Sequence, residues 1–225
     1  MQPAWSSIVA CWLVVGCANG KSPSAPPSTA GEEPVAARTE RDVPAPSSPP
    51  ACVWCGAREA PTDVAARVEL APASEPGERL VITGEVHRAD GRPAAGLTLY
   101  LYQTNVEGIY PRRGDETGNG VQHGYLRGWV RTDERGGYQI DTIRPGSYPD
   151  STQAAHIHVT VLDAGAEYWL DDFVFDGDPH LASHLANARS IGGSGVVTLS
   201  RDAAGTWRGQ RRIVLPATPP DGAIR

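Results

Sequence analysis

Hydrophobic and polar side chains alternate with a period of two along much of the chain after residue 80. The clearest example is residues 156–161, where isoleucine or valine occupies the odd positions and two histidines and a threonine occupy the even positions. Successive side chains point to opposite faces of a β-strand. The pattern therefore predicts a strand with one apolar face and one polar face.

Similar segments recur at short intervals, and turn sequences such as Asp-Gly at 90–91 and Arg-Gly-Gly at 135–137 separate them. This spacing predicts an all-β fold, an antiparallel β-sandwich that occupies residues 79–216. Only residues 178–190 are suited to a short helix. The predicted strands cover residues 80–86, 97–102, 125–132, 138–142, 156–162, 168–175, 195–199 and 209–215.

The first 50 residues have a different character from the rest of the chain. Residues 8–16 form an apolar run of signal-peptide length, too short to span a membrane, and it ends at Cys17 in a sequence that resembles the lipobox of bacterial lipoproteins. An ordinary secretory signal is the alternative, because no Lys or Arg precedes the run. Residues 18–50 are rich in Pro, Ser and Ala and predict a flexible tether. We expect an exported protein of the cell envelope, in the periplasm or on the outer membrane, with a lipid anchor on Cys17.

Composition narrows the choice of partners. The chain of 225 residues has room for one domain of about 150 residues and a tail, predicted at 217–225. Its net charge is −6 and it has no basic cluster, which argues against a nucleic-acid partner. The sequence is compatible with a homo-oligomer.

All four cysteines precede the predicted sandwich. Cys52 and Cys55 form a C-x-x-C pair in a lead-in segment, residues 51–78. Gly56 stands where a c-type haem site requires histidine, and no second pair completes a zinc site. A local disulfide is favoured in an oxidising compartment, and a redox role is the alternative.

The polar face of residues 156–161 carries the candidate chemistry. His156 and His158 lie on one side of the predicted strand, roughly 7 Å apart at about 3.3 Å of rise per residue, so both rings can reach one metal ion. Tyr148 lies just upstream, and a phenolate is a hard donor suited to a ferric ion. The alternative is a plain polar strand face.

Nine motifs follow one another in a specific order. They are Thr-Gly-Glu-Val at 83–86, Gly-Arg-Pro-Ala-Ala-Gly at 91–96, Leu-Tyr-Gln-Thr-Asn at 101–105, Glu-Gly-Ile-Tyr at 107–110, Leu-Arg-Gly-Trp-Val-Arg-Thr-Asp at 126–133, Gly-Tyr at 137–138, Thr-Ile-Arg-Pro-Gly-Ser-Tyr-Pro at 142–149, Ala-His-Ile-His at 155–158 and Phe-Asp-Gly-Asp-Pro at 175–179. Together they resemble the intradiol ring-cleavage dioxygenases, the non-haem ferric enzymes that include the catechol and protocatechuate dioxygenases.

The resemblance implies a metal site and a reaction. The Fe(III) ligands would be Tyr110, Tyr148, His156 and His158, with Tyr148 displaceable and able to accept a proton from the substrate. The implied reaction is cleavage of a catecholic (dihydroxy-aromatic) substrate by O₂ between its two hydroxyl-bearing carbons. Long loops of the sandwich would surround the metal.

The sequence departs from the family pattern at two positions. Gln153 replaces an arginine that supports charge on the substrate, and Asp172 or its neighbour replaces a glutamine. Losing a fixed positive charge removes electrostatic stabilisation. Arg127 and Arg112 are candidate replacements.

The loop at residues 111–124 would lie near the mouth of the metal site. Its Arg112 and His123 are candidate substrate-binding residues, and a solvated loop is the alternative.

Two other functions remain open. Similar strand and turn patterns occur in transthyretin-like domains, which bind partners and catalyse no reaction. One alternative function is therefore that of a β-sandwich interaction module. An iron-binding family member without ring-cleavage activity is the other. A shared fold does not decide between them.

Overall fold

The computed structural model describes residue 52 and residues 54–224, and these residues form two packed β-sheets with few helices. A 3₁₀ turn, Gly56–Glu59, precedes the first strand. Two short helices follow in the loops, α1 (Gly120–His123) and α2 (Leu181–Leu185). The strands are β1 (Arg67–Glu69), β2 (Arg79–His87), β3 (Thr98–Gln103), β4 (Arg127–Arg131), β5 (Gly137–Ile143), β6 (His156–Asp163), β7 (Ala166–Trp169), β8 (Phe173–Phe175), β9 (Val196–Val197), β10 (Ser200–Arg201) and β11 (Trp207–Val214).

The first sheet has the strand order β1-β5-β2-β11-β10, and the second has the order β4-β3-β6-β8-β9, with β7 paired to β6. This arrangement confirms the predicted all-β sandwich. Both sheets are mixed rather than purely antiparallel, because β1 pairs with β5, β11 with β2 and β8 with β9 in parallel. Parallel pairing of β11 with β2 requires a long crossover connection, and the chain between these strands passes through the second sheet.

The alternation predicted for β6 is present. Ile157, Val159 and Val161 are fully buried in the main core between the sheets. The opposite face of β6 carries His156 and His158 and meets a separate aromatic cluster that contains Tyr100 and Tyr102 of β3. Each face of the second sheet is therefore covered, one by the first sheet and the other by aromatic side chains and loops.

Three details differ from the predicted elements. The segment predicted as one strand over residues 168–175 divides into β7 and β8, because the polar pair at 171–172 interrupts it. Helix α1 lies in the glycine-rich loop that was predicted to lack helix. Strand β1 belongs to the first sheet although it precedes the predicted start at residue 79, since three residues are too few to give a readable alternation.

The lead-in segment packs against the sandwich. A disulfide joins Cys52 to Cys55, whose Cα atoms are 5.4 Å apart. The indole Nε1 of Trp129 donates to the carbonyl of Gly56 at 2.6 Å. At the other end of the chain, Ile224 forms a β-bridge with Glu167, which fixes part of the predicted tail.

The predicted signal sequence, the lipidation site Cys17 and the tether at residues 18–50 lie outside the described residues. Within the described part of the chain, no helix has the length and apolar character needed to cross a membrane.

Candidate metal centre

Four side chains place their donor atoms next to one another at one end of β6. The hydroxyl groups of Tyr110 and Tyr148 are hydrogen-bonded to each other. The Tyr148 hydroxyl lies 3.0 Å from Nε2 of His158, and that nitrogen lies 3.1 Å from Nε2 of His156. The structure thus brings together all four residues that the sequence predicted as metal ligands.

A tight turn after β3 places Tyr110 beside the other three donor residues. The side-chain Oδ1 of Asn105 accepts hydrogen bonds from the backbone N–H groups of Glu107 and Ile109, both at 3.1 Å. Gly108 has φ +79°, and a Cβ there would come within 1.8 Å of the carbonyl oxygen of Ser147. Only glycine lets the turn approach the segment that carries Tyr148 this closely.

Polar residues at the end of β3 hold the Tyr148 segment in place. The Gln103 side chain donates to the carbonyl of Ile143 at 3.0 Å and accepts from Thr142 Oγ1 at 2.8 Å. Thr104 Oγ1 donates to the carbonyl of Gly146 at 2.7 Å, and the backbone N–H of Gly146 donates to the carbonyl of Asn105. The Gln-Thr-Asn motif therefore joins the two tyrosine-bearing loops, which explains how tyrosines 38 residues apart in sequence meet.

Both histidines present Nε2 as a lone pair. Nδ1 of His156 lies 2.6 Å from the carbonyl oxygen of Ala154, and Nδ1 of His158 lies 2.9 Å from Oδ1 of Asp172. A carbonyl or carboxylate oxygen only accepts, so each Nδ1 is assigned the proton. Burial, reinforced by His158, lowers the pKa of His156 to about 4, so its ring is neutral at pH 7. Two lone pairs then face each other, an arrangement that a bound cation stabilises.

The tyrosines are phenols unless a cation is present. Burial raises the pKa of both Tyr110 and Tyr148, and the neighbouring Tyr148 raises that of Tyr110 further. A bound metal reverses this preference, because its charge stabilises the phenolate form.

Two half-buried phenols and two imidazoles with adjacent Nε2 atoms fit Fe(III), for which phenolate and imidazole are suitable ligands. Asp172 also lies near the histidines, and one ligand atom each from His156, His158 and Asp172 fall within 4.8 Å of one another. Its carboxylate contacts Nδ1 of His158, however, on the edge of the ring opposite Nε2. Asp172 is therefore better suited to orienting His158 than to joining the four donors.

Asp172 is ionised in this environment. Burial opposes its charge, but the electrostatic interaction with His158, the hydrogen bond from that ring and the proximity of His156 together hold the pKa of Asp172 below its usual range.

A cavity of about 250 Å³ adjoins His158. Gln153 lines it, as does Arg189, whose guanidinium has no hydrogen-bonded acceptor among the described residues. The remaining lining residues are Trp169, Leu170, Asp171, Asp172, Val174, His184, Leu185, Asn187, Ala188 and Ser194.

The other candidate residues lie elsewhere. Arg127 donates to Glu59 at 3.3 Å and does not reach the cavity. Arg112 is exposed in its loop. His123 is buried within the aromatic cluster, where Nδ1 lies 2.8 Å from the Tyr100 hydroxyl and the ring stacks on Tyr102 at 3.6 Å between centroids. None of the three lines the cavity beside His158.

Two residues near the candidate metal centre, Trp169 and His184, were not singled out from the sequence, and Asp172 was singled out only as a departure from the family pattern. Trp169 packs its ring 5.2 Å from that of His158, and His184 lies 3.6 Å from Oδ2 of Asp172. The observed strand pairing explains the position of Asp172, because β6 and β8 pair His156 with Val174 and Ile157 with Phe173. Continuing that antiparallel register puts residue 172 opposite His158.

Comparison with known proteins gives a consistent result. The dioxygenase family model matches residues 56–209. The protocatechuate 3,4-dioxygenase beta chain of Burkholderia cepacia is 32% identical over 113 residues, which cover 47% of this chain and 48% of that protein. The chain spans about half the length of the curated relatives that it matches.

Two solved structures illustrate the similarity in fold. The dioxygenase domain of a carbohydrate-binding fusion protein from Streptomyces sp. SirexAA-E superposes with a TM-score of 0.54 at 26% identity, over 70% of this chain and 92% of that one. Catechol 1,2-dioxygenase from Pseudomonas arvilla C-1 gives a TM-score of 0.56 at 22% identity, over 73% and 62% of the two chains, and shares the fold. With more than half of its length matched by the family model, the chain belongs to the dioxygenase family of intradiol ring-cleavage enzymes.

Proposed function

We propose that this protein is a non-haem Fe(III) dioxygenase that opens the ring of an aromatic diol between its two hydroxyl-bearing carbons. The observation that carries the proposal is the convergence of the Tyr110, Tyr148, His156 and His158 donor atoms. A β-sandwich that only binds partners has no need of two phenols and two oriented imidazoles at one point.

Fe(III) held by these residues would withdraw electron density from a bound diolate and make its ring reactive towards O₂. The chain's own residues would bind and orient the substrate. Tyr110 would stay in place, because the Asn105 turn fixes the backbone on its N-terminal side. Tyr148 lies outside any strand and is half-buried, so it can move aside and accept a substrate proton at its phenolate oxygen.

We propose that a substrate with one aromatic ring binds in the cavity beside His158, the one of the four donor residues that lines it. Trp169, Leu170, Val174 and Leu185 offer apolar surface, and polar side chains such as Asn187 complete the lining. Small-molecule pockets combine apolar surface with placed polar groups, and this cavity offers both, with polar and charged residues in the majority.

The test is a spectrum followed by a product analysis. The purified protein, loaded with Fe(III), should show a broad tyrosinate-to-iron charge-transfer band at about one iron per chain, and the band should shift on addition of catechol. Incubation with catechol under ¹⁸O₂ should give a ring-opened cis,cis-muconate-type diacid with two labelled oxygens. A protein that binds catechol at iron but forms no diacid is an iron protein without ring cleavage.

A matched pair of variants tests whether Tyr110 gives rise to the charge-transfer band. Tyr110→Phe removes the hydroxyl group of a proposed ligand. Tyr102→Phe is the control, because the Tyr102 ring contacts Tyr110 and His158 but its hydroxyl group is not one of the four proposed donors. The band should change strongly in the first variant and little in the second. A colourless wild-type protein that takes up no Fe(III) would favour the interaction-module function.

For location, we propose export and attachment to the cell envelope through lipid on Cys17. The disulfide between Cys52 and Cys55 supports this, because such bonds persist in oxidising compartments. Metabolic labelling with a fatty acid should mark the wild-type protein and not the Cys17→Ser variant. Equal labelling of the two would contradict the anchor.

A further inference from the structure

The carboxylate of Asp172 lies between two histidines. Its Oδ1 is 2.9 Å from Nδ1 of His158, and its Oδ2 is 3.6 Å from Nε2 of His184. The side chain is 16% exposed, so water competes little for these contacts. The His158 ring thus has partners on both sides, Tyr148 and His156 at Nε2 and Asp172 at Nδ1.

The position of His184 is itself fixed by the fold. Helix α2 begins after Asp178, whose Oδ1 accepts the backbone N–H of His180 at 2.8 Å and whose Oδ2 accepts that of Ala155 at 3.0 Å. One carboxylate therefore ties the start of α2 to the residue before His156. This brings the His184 ring to 5.2 Å from the ring of His156 and within reach of Asp172.

An anionic acceptor has two effects on an imidazole that binds metal. It fixes the tautomer with the proton on Nδ1, which leaves the Nε2 lone pair directed at the metal. A charge-assisted hydrogen bond also gives the ring more electron density than a neutral acceptor would, so Nε2 becomes a stronger donor. Partners of this kind typically change metal affinity by about 10- to 100-fold.

We propose that Asp172, supported by His184, is a positioning residue that fixes the Nδ1–H tautomer of His158 and strengthens its Nε2 as a donor to iron. This inference rests on the proposed iron centre. The carboxylate of Asp172 would then act through the metal ligand His158.

The test compares two variants that remove the same charge. Asp172→Asn removes the anionic acceptor, and Asp176→Asn removes an exposed aspartate four residues away that does not contact either histidine. In the iron-free protein, ¹⁵N NMR should detect a hydrogen-bonded Nδ1–H on His158 in the wild type and in Asp176→Asn, and a loss or large shift of this signal in Asp172→Asn.

The second measurement is the affinity of the variants for Fe(III). Competition with a chelator should show about 10- to 100-fold weaker Fe(III) binding in Asp172→Asn than in Asp176→Asn. Without substrate, its charge-transfer band should move to longer wavelength, because a less electron-rich donor set leaves Fe(III) a better electron acceptor. Asp172→Glu, which keeps the anion, should recover at least part of both properties, which a merely structural role would not explain.

The outcomes separate the two proposals. If Asp172→Asn keeps the wild-type Nδ1–H signal and binds Fe(III) within twofold of Asp176→Asn, the positioning role is overturned, whatever the protein does with catechol. If the signal, affinity and band change as expected but no diacid forms, the positioning role stands and ring cleavage fails. A wild-type protein without Fe(III) affinity overturns both.

A second variant covers the case in which Asp172→Asn does not fold. His184→Ala leaves the Asp172–His158 hydrogen bond in place and removes only its support, so the Nδ1–H signal should persist with a smaller shift and Fe(III) affinity should fall severalfold. Unchanged affinity and an unchanged signal in this variant would contradict the support by His184.

Discussion

The Nε2 atoms of His156 and His158 face each other at 3.1 Å, although the proton of each ring is assigned to Nδ1. With these tautomers neither nitrogen donates to the other; the Tyr148 phenol, 3.0 Å from Nε2 of His158, can donate to that lone pair, and a bound cation would stabilise both lone pairs at once. The strand geometry prevents the rings from separating, since both project from the same face of β6. The fold thus holds two nitrogen donors side by side, as binding to one shared metal ion would require.

Replacement of His158 by alanine should abolish Fe(III) binding and leave the sandwich folded. The variant loses one of four donors, and its ring lies outside the main core, so circular dichroism should be unchanged while metal analysis finds little iron. His87→Ala is the control, because His87 contacts Glu85 and the Gly91 carbonyl away from the centre. Full iron content in the His158 variant would refute the ligand assignment.

The iron-free protein should lose stability as the pH falls from about 6.5 to about 4. Burial lowers the pKa of His156 to about 4, whereas in the unfolded chain the pKa of this ring is near the ordinary histidine value of 6.5. The unfolded state therefore binds more protons within this window, and stability falls with falling pH by roughly 3 kcal/mol from this group.

Urea unfolding at several pH values measures this effect, and the His156→Asn variant isolates it from other titrating groups. The difference in unfolding free energy between wild type and variant should change across the window and level off outside it. A constant difference from pH 7 to pH 4 would show that His156 titrates normally in the folded protein.

Restoring a positive charge at position 153 should raise the turnover of simple catechols. Gln153 lines the cavity beside His158 and is exposed, so an arginine there has room and can stabilise negative charge on the substrate. We expect about a tenfold increase in kcat/KM for the Gln153→Arg variant, less than for a fully buried charge because water screens it.

Thr152→Arg is the matched control for this change. Thr152 is also exposed, but it does not line the cavity, so the same added charge should leave catechol turnover near the wild-type value. Equal or lower turnover in Gln153→Arg than in Thr152→Arg would count against charge loss as the limit on activity.

The sequence was sufficient to predict most of the strands and the four converging residues, but not the short strands β1 and β10. The alternation of apolar and polar side chains in β6 indicates which face of the strand each side chain occupies. The motifs around Tyr110 and Tyr148 occur in a fixed order. The placement of Arg127 could not be predicted, because its partner Glu59 lies 68 residues away in the lead-in segment. The contact of Asp172 with His158 depends on the register between β6 and β8, which residue types alone do not specify.

The lead-in segment should be held to the sandwich by one buried carboxylate, Glu167. This side chain is fully buried, accepts the backbone N–H of Ala57 at 2.8 Å and Thr160 Oγ1 at 3.0 Å, and lies 3.6 Å from Arg58 Nε. Glu167→Ala leaves a buried N–H and the Arg58 charge without this partner. The expected loss is about 3 kcal/mol of unfolding free energy.

Tryptophan fluorescence can separate local detachment from global destabilisation. Trp54, in the lead-in segment, lies 6.0 Å from Trp169 between ring centroids, and Trp169 in turn packs against His158. In Glu167→Ala the emission should shift to longer wavelength at denaturant concentrations below the main transition, because the Trp54–Trp169 contact opens first. Glu69→Ala, an exposed glutamate on β1, is the control and should behave like wild type. If Glu167→Ala unfolds at the wild-type midpoint without this early shift, the segment is held by its other contacts, such as the hydrogen bond from Trp129 to Gly56, and not by the buried carboxylate.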